Sequence, residues 1–285
     1  MKSLNRPQAD PTGLLTSCIE NIADRVAQAG YIANQQVLEQ GALDYETAST
    51  GTVWCDLPRV PNGQADRVVV GTLTKRQLMD LYSKHMVGSS GSAREAYDAI
   101  LVAANGKCPF CGGIGHAKTL DHYLPKANFP LYSIVPTNLV PCCRDCNTGK
   151  SNAFPMQVSA QSLHPYLDAA HFFAVKWTHA DIVATDPVSA AFSARPPDTW
   201  SACDQQRVIS HFEDYDLATR YSIEAGTEIA NLVYLRKTTF HGYPPDSFEE
   251  YLREQSNSPA TPINGWRRTL FAALADARWF VESVY

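Results

Sequence analysis

Apolar side chains recur at helical spacing toward both ends of the chain and lose that rhythm in the middle. Over residues 10–30, Leu14, Leu15, Cys18, Ile19, Ile22 and Val26 fall three or four positions apart, which places them on one face of an amphipathic helix. Asp10 followed by Pro11 reads as its start. A short carboxylate can accept from first-turn amides, and a proline has no amide to leave unsatisfied. Helical spacing continues over residues 37–48 and returns over 74–86, whereas residues 51–70 are irregular, with Pro58, Pro61 and Gly63 as turn signals. After the flexible stretch GSSGS, Ser92-Ala93-Arg94-Glu95 reads as a capping box opening a helix to about residue 104, which Gly106 ends.

Past residue 170 the pattern changes twice. Residues 172–179 and 182–193 read as a β-hairpin broken at Asp186-Pro187. Helical periodicity then covers 200–215, 216–239, 246–255 and 264–283. In the last of these, Trp266, Leu270, Phe271, Leu274, Trp279 and Phe280 form an apolar stripe, read as core packing. The fold class expected is α+β and mainly α-helical. A helical N-terminal region (1–105) precedes a small core (106–155), and a hairpin plus helices (156–285) follow. The chain carries no internal repeat and no low-complexity tract.

A length of 285 residues with 45% hydrophobic content suffices for sizeable cores. No apolar run reaches membrane-span length and the first residues do not resemble a signal peptide, so a soluble, cytoplasmic protein is expected. The net charge of −5 argues against coating nucleic acid by bulk charge. Its distribution is uneven. Residues 107–152 hold Lys107, Lys118, Lys126, Arg144 and Lys150 against Asp121 and Asp145, a local +3 that leaves −8 for the remainder. Such a chain can touch phosphates over a short footprint only, unless a partner adds positive surface.

That basic segment also holds five of the eight cysteines, four of them in two pairs, Cys108-Pro-Phe-Cys111 and Cys143-Arg-Asp-Cys146. Each pair puts two thiolates on one tight turn, and two such turns complete a closed tetrahedral site for structural Zn²⁺. Cys142 is an alternative ligand, but Cys143 repeats the two-residue gap of the first pair and is preferred. Cys18, Cys55 and Cys203 lie in sequence that reads as ordinary core.

Between the pairs stand Asp121-His122 and Asn138, and Asn147 follows the second pair. Hydrolysis of a phosphodiester needs a base that titrates near neutral pH, and histidine is that side chain. It also needs positive charge at the phosphate and the leaving oxygen, which a hard divalent ion supplies. Mg²⁺ or Mn²⁺ accepts oxygen ligands while keeping water, so a carboxylate (Asp121) and an amide oxygen (Asn147) suffice. Neighbours on a strand point to opposite faces, so Asp121 and His122 require a bend just after them, which Pro125 and Pro130 favour. Asn138, on the return of that loop, is expected to accept a hydrogen bond from His122 and fix its tautomer. His164, outside the segment, reads as a residue orienting a helix.

The run CPFC, LDHYLP and TNLVPCCRDCNTGKSN resembles the HNH endonuclease family over about 45 residues, with its ββα-metal core and flanking zinc cysteines. The resemblance implies that His122 is the general base and Asn138 the orienting asparagine. It implies Asp121 and Asn147 as ligands of the catalytic ion, Asn147 standing where the family's final histidine is named. Lys150 matches an often basic exit position, and Lys118, Lys126, Arg144 and Lys150 are the expected DNA phosphate contacts. The opening KSLNRP, the helical flanks and the tail GWRRTLFAALADARWF resemble HNH nucleases of bacterial antiphage systems of the Septu or retron-linked type. That resemblance implies a defence-system ATPase as partner, with DNA as substrate.

Overall fold

The computed structural model describes residues 1–149 and 154–283; Lys150 lies outside the described residues. The chain is α+β, about half helical, with three small two-stranded antiparallel sheets among the described residues. It divides into two compact units. One comprises Ser3–Pro109 and Gly115–Asp168; the other comprises Met1–Lys2, Phe110–Ile114 and Ala169–Tyr285. No helix among the described residues is long and apolar enough to cross a membrane.

The first unit begins with α1 (Pro11–Glu20), α2 (Arg25–Ala33) and α3 (Gln35–Thr50). Asp10 caps α1 as its position suggested, its carboxylate accepting from Gly13 N at 2.8 Å. The single helix expected over 10–30 is two. Asp24 interrupts it, accepting from Val26 N at 2.8 Å and Ala27 N at 3.2 Å, and so starts α2. The new helix turns Val26 away from the apolar face, leaving it 84% exposed. The irregular stretch expected over 51–70 ends in a short hairpin, β1 (Val68–Val70) with β2 (Leu73–Thr74).

The next helix, α4 (Lys75–Ser83), opens on a capping box that sequence reading assigned elsewhere. Thr74 Oγ1 accepts from Gln77 N at 3.3 Å, and Gln77 Oε1 accepts from Thr74 N at 2.8 Å. The box expected at Ser92 does not form. Gly91, at φ 80°, precedes α5 (Ser92–Val102), and the Ser92 hydroxyl instead meets Ser17 Oγ at 3.0 Å. Leu14, Leu15, Cys18 and Ile19 of α1 join Leu78 and Leu81 of α4 and Ile100 of α5 in one core. Leu120 and Leu139 belong to the same core. Each such side chain contributes about 1.5–3 kcal/mol relative to exposure.

Leu120 and Leu139 lie on β3 (Thr119–His122) and β4 (Leu139–Cys142), which pair antiparallel in the register Thr119↔Cys142 to His122↔Leu139. A short helix, α6 (Arg144–Gly149), follows directly. The hydroxyl of Tyr82 on α4 donates to Leu120 O at 2.9 Å and ties helix to strand.

The second unit contains a short α7 (His171–Ala174), then β5 (Thr178–Val183) antiparallel to β6 (Ser189–Ala194). A hairpin forms about the expected break at Asp186-Pro187, but residues 182 and 183 belong to its first strand and not its second, and residues 172–174 are helical. Four longer helices and one short one follow in this order: α8 (Ala202–Asp214), α9 (Leu217–Lys237), α10 (Pro245–Ser256), α11 (Trp266–Asp276) and α12 (Arg278–Glu282). The helix expected over 264–283 breaks at Ala277. Its stripe is core, with Leu270, Phe271, Leu274 and Phe280 fully buried beside Phe248 and Leu252 of α10, while Trp279 stays 39% exposed.

Candidate functional site

The first cysteine pair sits on a turn built for it. Lys107 bridges to His116, Cys108 N donates to Gly115 O at 3.0 Å, and Gly112 and Gly113 adopt φ of 66° and 95°. Glycine adopts those left-handed angles without the Cβ penalty that other residues incur. The second pair lies where β4 passes into α6. The four sulfurs of Cys108, Cys111, Cys143 and Cys146 lie within 4.8 Å of one another and all four residues are buried. Tetrahedral zinc at about 2.3 Å from each thiolate spaces sulfurs about 3.8 Å apart, so the cluster can hold a zinc ion with little contraction. Cys142 is equally buried but stands outside the group, and its thiol donates to Cys143 O at 3.3 Å. Its side chain nevertheless lies within hydrogen-bond reach of Cys108 and Cys146, so it borders the group directly.

Asp121 and His122 occupy the end of β3, and the chain leaves the strand immediately after His122. Both line a cleft of about 420 Å³, together with Asn147 of α6, Lys126, and Tyr82 and Tyr97 of α4 and α5. The adjacent residues thus reach one cavity, as the bend after the strand allows. Asp121 Oδ1 accepts from His122 N at 2.8 Å, which fixes the carboxylate against the strand end. Asn147 is exposed on α6, and its backbone N donates to Cys143 O at 3.0 Å. The oxygen donors of Asp121 and Asn147 are of the kind a hard divalent ion prefers.

The imidazole is 6% exposed. Its Nε2 lies 2.9 Å from Ser133 O and its ring meets Tyr82 edge-on, centroids 4.4 Å apart at 74°. Asn138 does not play the part expected of it. Fully buried, its Oδ1 accepts from Leu124 N at 2.7 Å, and its Nδ2 donates to Tyr132 O at 2.9 Å and Leu124 O at 3.3 Å. Its own carbonyl accepts from Tyr123 N at 2.8 Å. It clasps the loop that carries the Ser133 carbonyl to the imidazole. Neither Ser133 nor Tyr82 was identified from sequence: one acts through a main-chain oxygen, and the other lies forty positions upstream.

Of the basic residues, Lys118 and Arg144 are exposed, Lys126 is half-buried in the cleft, and Lys150 lies outside the described residues. Burial lowers the Lys126 ammonium below the usual lysine pKa, against a smaller opposing pull from Asp80. His164, read as a helix orienter, is fully buried among aromatic rings. Its Nδ1 accepts from Tyr166 N at 3.2 Å, its Nε2 pairs with Tyr45 Oη at 3.0 Å, and its ring stacks on Trp54.

No family model matches this sequence, and no solved structure matches it. The chain is 31% identical over 297 residues to protein ea31 of Escherichia phage lambda, with 100% of both chains covered.

Proposed function

We propose that this chain, which belongs to the family of protein ea31 of phage lambda, is an HNH-type, metal-dependent endonuclease that hydrolyses DNA phosphodiester bonds. One observation carries the reading: Asp121, His122 and Asn147 of the β3-β4-α6 unit line a single cleft, and the second cysteine pair of the four-thiol cluster lies where β4 passes into α6. In this reading the thiols hold a structural Zn²⁺, which clamps the cysteine turn to the start of α6 and so sets Asn147 opposite Asp121. The donation from Nε2–H to Ser133 O leaves the lone pair of the neutral imidazole on Nδ1, the nitrogen that takes a proton from water. The carboxylate of Asp121 and the amide oxygen of Asn147 would hold Mg²⁺ or Mn²⁺, which supplies positive charge at the scissile phosphate. Exposed Lys118 and Arg144 would contact phosphates of the bound strand, with Lys150 as the matching position outside the described residues.

The biological setting proposed is conflict between phage and bacterium, with the antiphage role and ATPase partner that the sequence suggests. A relative encoded by a phage is compatible with a nuclease used on either side of that conflict. The test is cleavage of supercoiled and linear DNA by the purified full chain with Mg²⁺ or Mn²⁺, alone and with its neighbouring gene product. His122→Ala and chelation serve as the negative arms. Cleavage that needs both the ion and His122 supports the nuclease. Zinc-containing, folded protein that binds DNA or a partner without cutting supports the second reading, a zinc-stabilised binding subunit.

A further inference from the structure

The ring of Tyr82 has two neighbours of chemical consequence. It meets the His122 imidazole edge-on, and the ammonium of Lys126 sits 4.7 Å from the same ring's centroid and donates to Ser83 Oγ at 3.3 Å. The Tyr82 hydroxyl is tied to Leu120 O, so the ring cannot swing away from either. Imidazole and ammonium are therefore no more than about 9 Å apart, on one wall of one cleft. A separation within that bound lets the two groups, each reaching about 2.6–3.2 Å, contact different oxygens of one phosphate. Lys126 forms no ion pair among the described residues, and Asp80, the carboxylate that acts on it, is already paired with Lys84 at 2.8 Å.

Resting on the nuclease reading above, we propose that Lys126 is a catalytic residue that gives a proton to the leaving 3′ oxygen. Water loses a proton to His122 Nδ1 as its oxygen bonds to phosphorus. The P–O3′ bond breaks and its electron pair goes to the 3′ oxygen, which takes the proton from Lys126 Nζ. Solvent then carries the proton held by the imidazolium back to the neutral amine, which restores both groups, and nothing is oxidised or reduced. A partly desolvated ammonium is a better proton donor than an exposed one, because burial disfavours its charge. Exposed Lys118 and Arg144 have no such environment.

The experiment compares full-length wild type, Lys126→Arg and Lys126→Met on two substrates, with Mg²⁺ or Mn²⁺ present. One is a DNA duplex, whose 3′ alkoxide needs a proton. The other is the p-nitrophenyl ester of thymidine 5′-phosphate, whose leaving group departs as a stable anion. Arginine keeps the charge but does not release its proton. Both variants should lose on the order of 10²–10³ in kcat on DNA, while turnover of the nitrophenyl ester stays within a few-fold of wild type and Lys126→Arg keeps its KM for DNA. Wild-type kcat on DNA for Lys126→Arg would overturn the proposal and leave a simple phosphate clamp. Equal losses on both substrates, in protein with full zinc and an unchanged thermal midpoint, would overturn it too. Should Lys126→Met lose its zinc or its folding transition, the Lys126→Arg pair of measurements decides alone. If wild type hydrolyses neither substrate, the nuclease reading itself has failed, a result distinct from those above.

Discussion

The Nε2 of His122 donates to the main-chain oxygen of Ser133, 2.9 Å away. A carbonyl oxygen only accepts, so the bond selects the tautomer with its lone pair on Nδ1. Orientation of the imidazole thus depends on where the backbone runs and not on the serine side chain.

Two substitutions separate these parts. His122→Ala should reduce DNA cleavage on the order of 10²–10⁴-fold, the usual effect of losing a positioned base, with zinc content unchanged. Ser133→Ala removes only the hydroxyl bond to Pro130 O at 2.6 Å. It should cost about 1 kcal/mol of stability and leave the cleavage rate near wild type. A nicking assay on both variants checks this; undiminished cleavage by His122→Ala would remove the histidine from the mechanism.

Asn138→Ala should act through stability. It strips the partner from the buried Leu124 N, and a buried group left unsatisfied costs about 1–3 kcal/mol, while Tyr132 O keeps Val135 N at 3.3 Å. Urea denaturation should show the loss directly, and cleavage should fall because the Ser133 carbonyl is no longer held in place. A variant as stable as wild type but inactive would show that the asparagine acts in the chemistry and not through the loop.

The cysteine pairs, the Asp121-His122 step and the late hairpin were legible in the sequence because each depends on local spacing. Cys143 could be preferred over Cys142 by counting residues, and the group of four sulfurs includes Cys143. What escaped reading depends on distant or main-chain atoms. Ser133 contributes a carbonyl, which residue type does not encode. Tyr82 belongs to α4 by its periodicity, and nothing local announces that its ring backs His122 and Lys126. Helix boundaries failed where a cap lay inside an apolar rhythm: Asp24 restarts a helix within an unbroken periodic pattern, so capping outweighs the periodicity there.

The thiol assignment has its own test. Cys143→Ser should lose its metal and unfold the segment around it, because binding free energy of structural zinc is folding free energy. Cys142→Ser should retain about one zinc per chain, since Cys142 is outside the group of four. Metal analysis of the two purified proteins settles it, and the reverse pattern would move the site by one residue.

Acid should destabilise the second unit through His211. Its imidazole is buried and its Nε2 donates to Phe110 O at 2.9 Å. Burial, then the nearby N-terminal ammonium, lowers its pKa to about 3, with Arg207 adding to the effect and the Phe110 bond opposing it. The folded state therefore keeps the ring neutral, while the unfolded chain takes up a proton below about pH 6.5. A depressed folded pKa gives stability that is complete above that pH and is lost as pH falls toward 3, by up to about 1.4 kcal/mol per pH unit. His211→Gln should flatten this part of the pH profile. Denaturant midpoints for both proteins between pH 7 and pH 4 provide the comparison, and parallel profiles would refute the assignment.

Binding of DNA by the isolated chain should be weak and steeply salt-sensitive. The segment 107–152 carries a local +3 against −8 elsewhere, so few phosphates can be neutralised. Lys118, Lys126 and Arg144, with Lys150 outside the described residues, offer three or four contacts. Each contributes a slope of about −0.9 in log K against log salt, which gives roughly −3 to −4 in total. Affinity should then fall roughly 100-fold between 50 and 200 mM salt. A partner that adds basic surface, as the proposed ATPase would, should flatten nothing in this chain's own contacts but raise the affinity of the complex at physiological salt. Fluorescence anisotropy with a labelled duplex, across a salt series and with and without the neighbouring gene product, measures both effects. Tight, weakly salt-dependent binding by the purified chain, with robust cleavage in the absence of any partner, would establish a self-sufficient nuclease and discard the partnership.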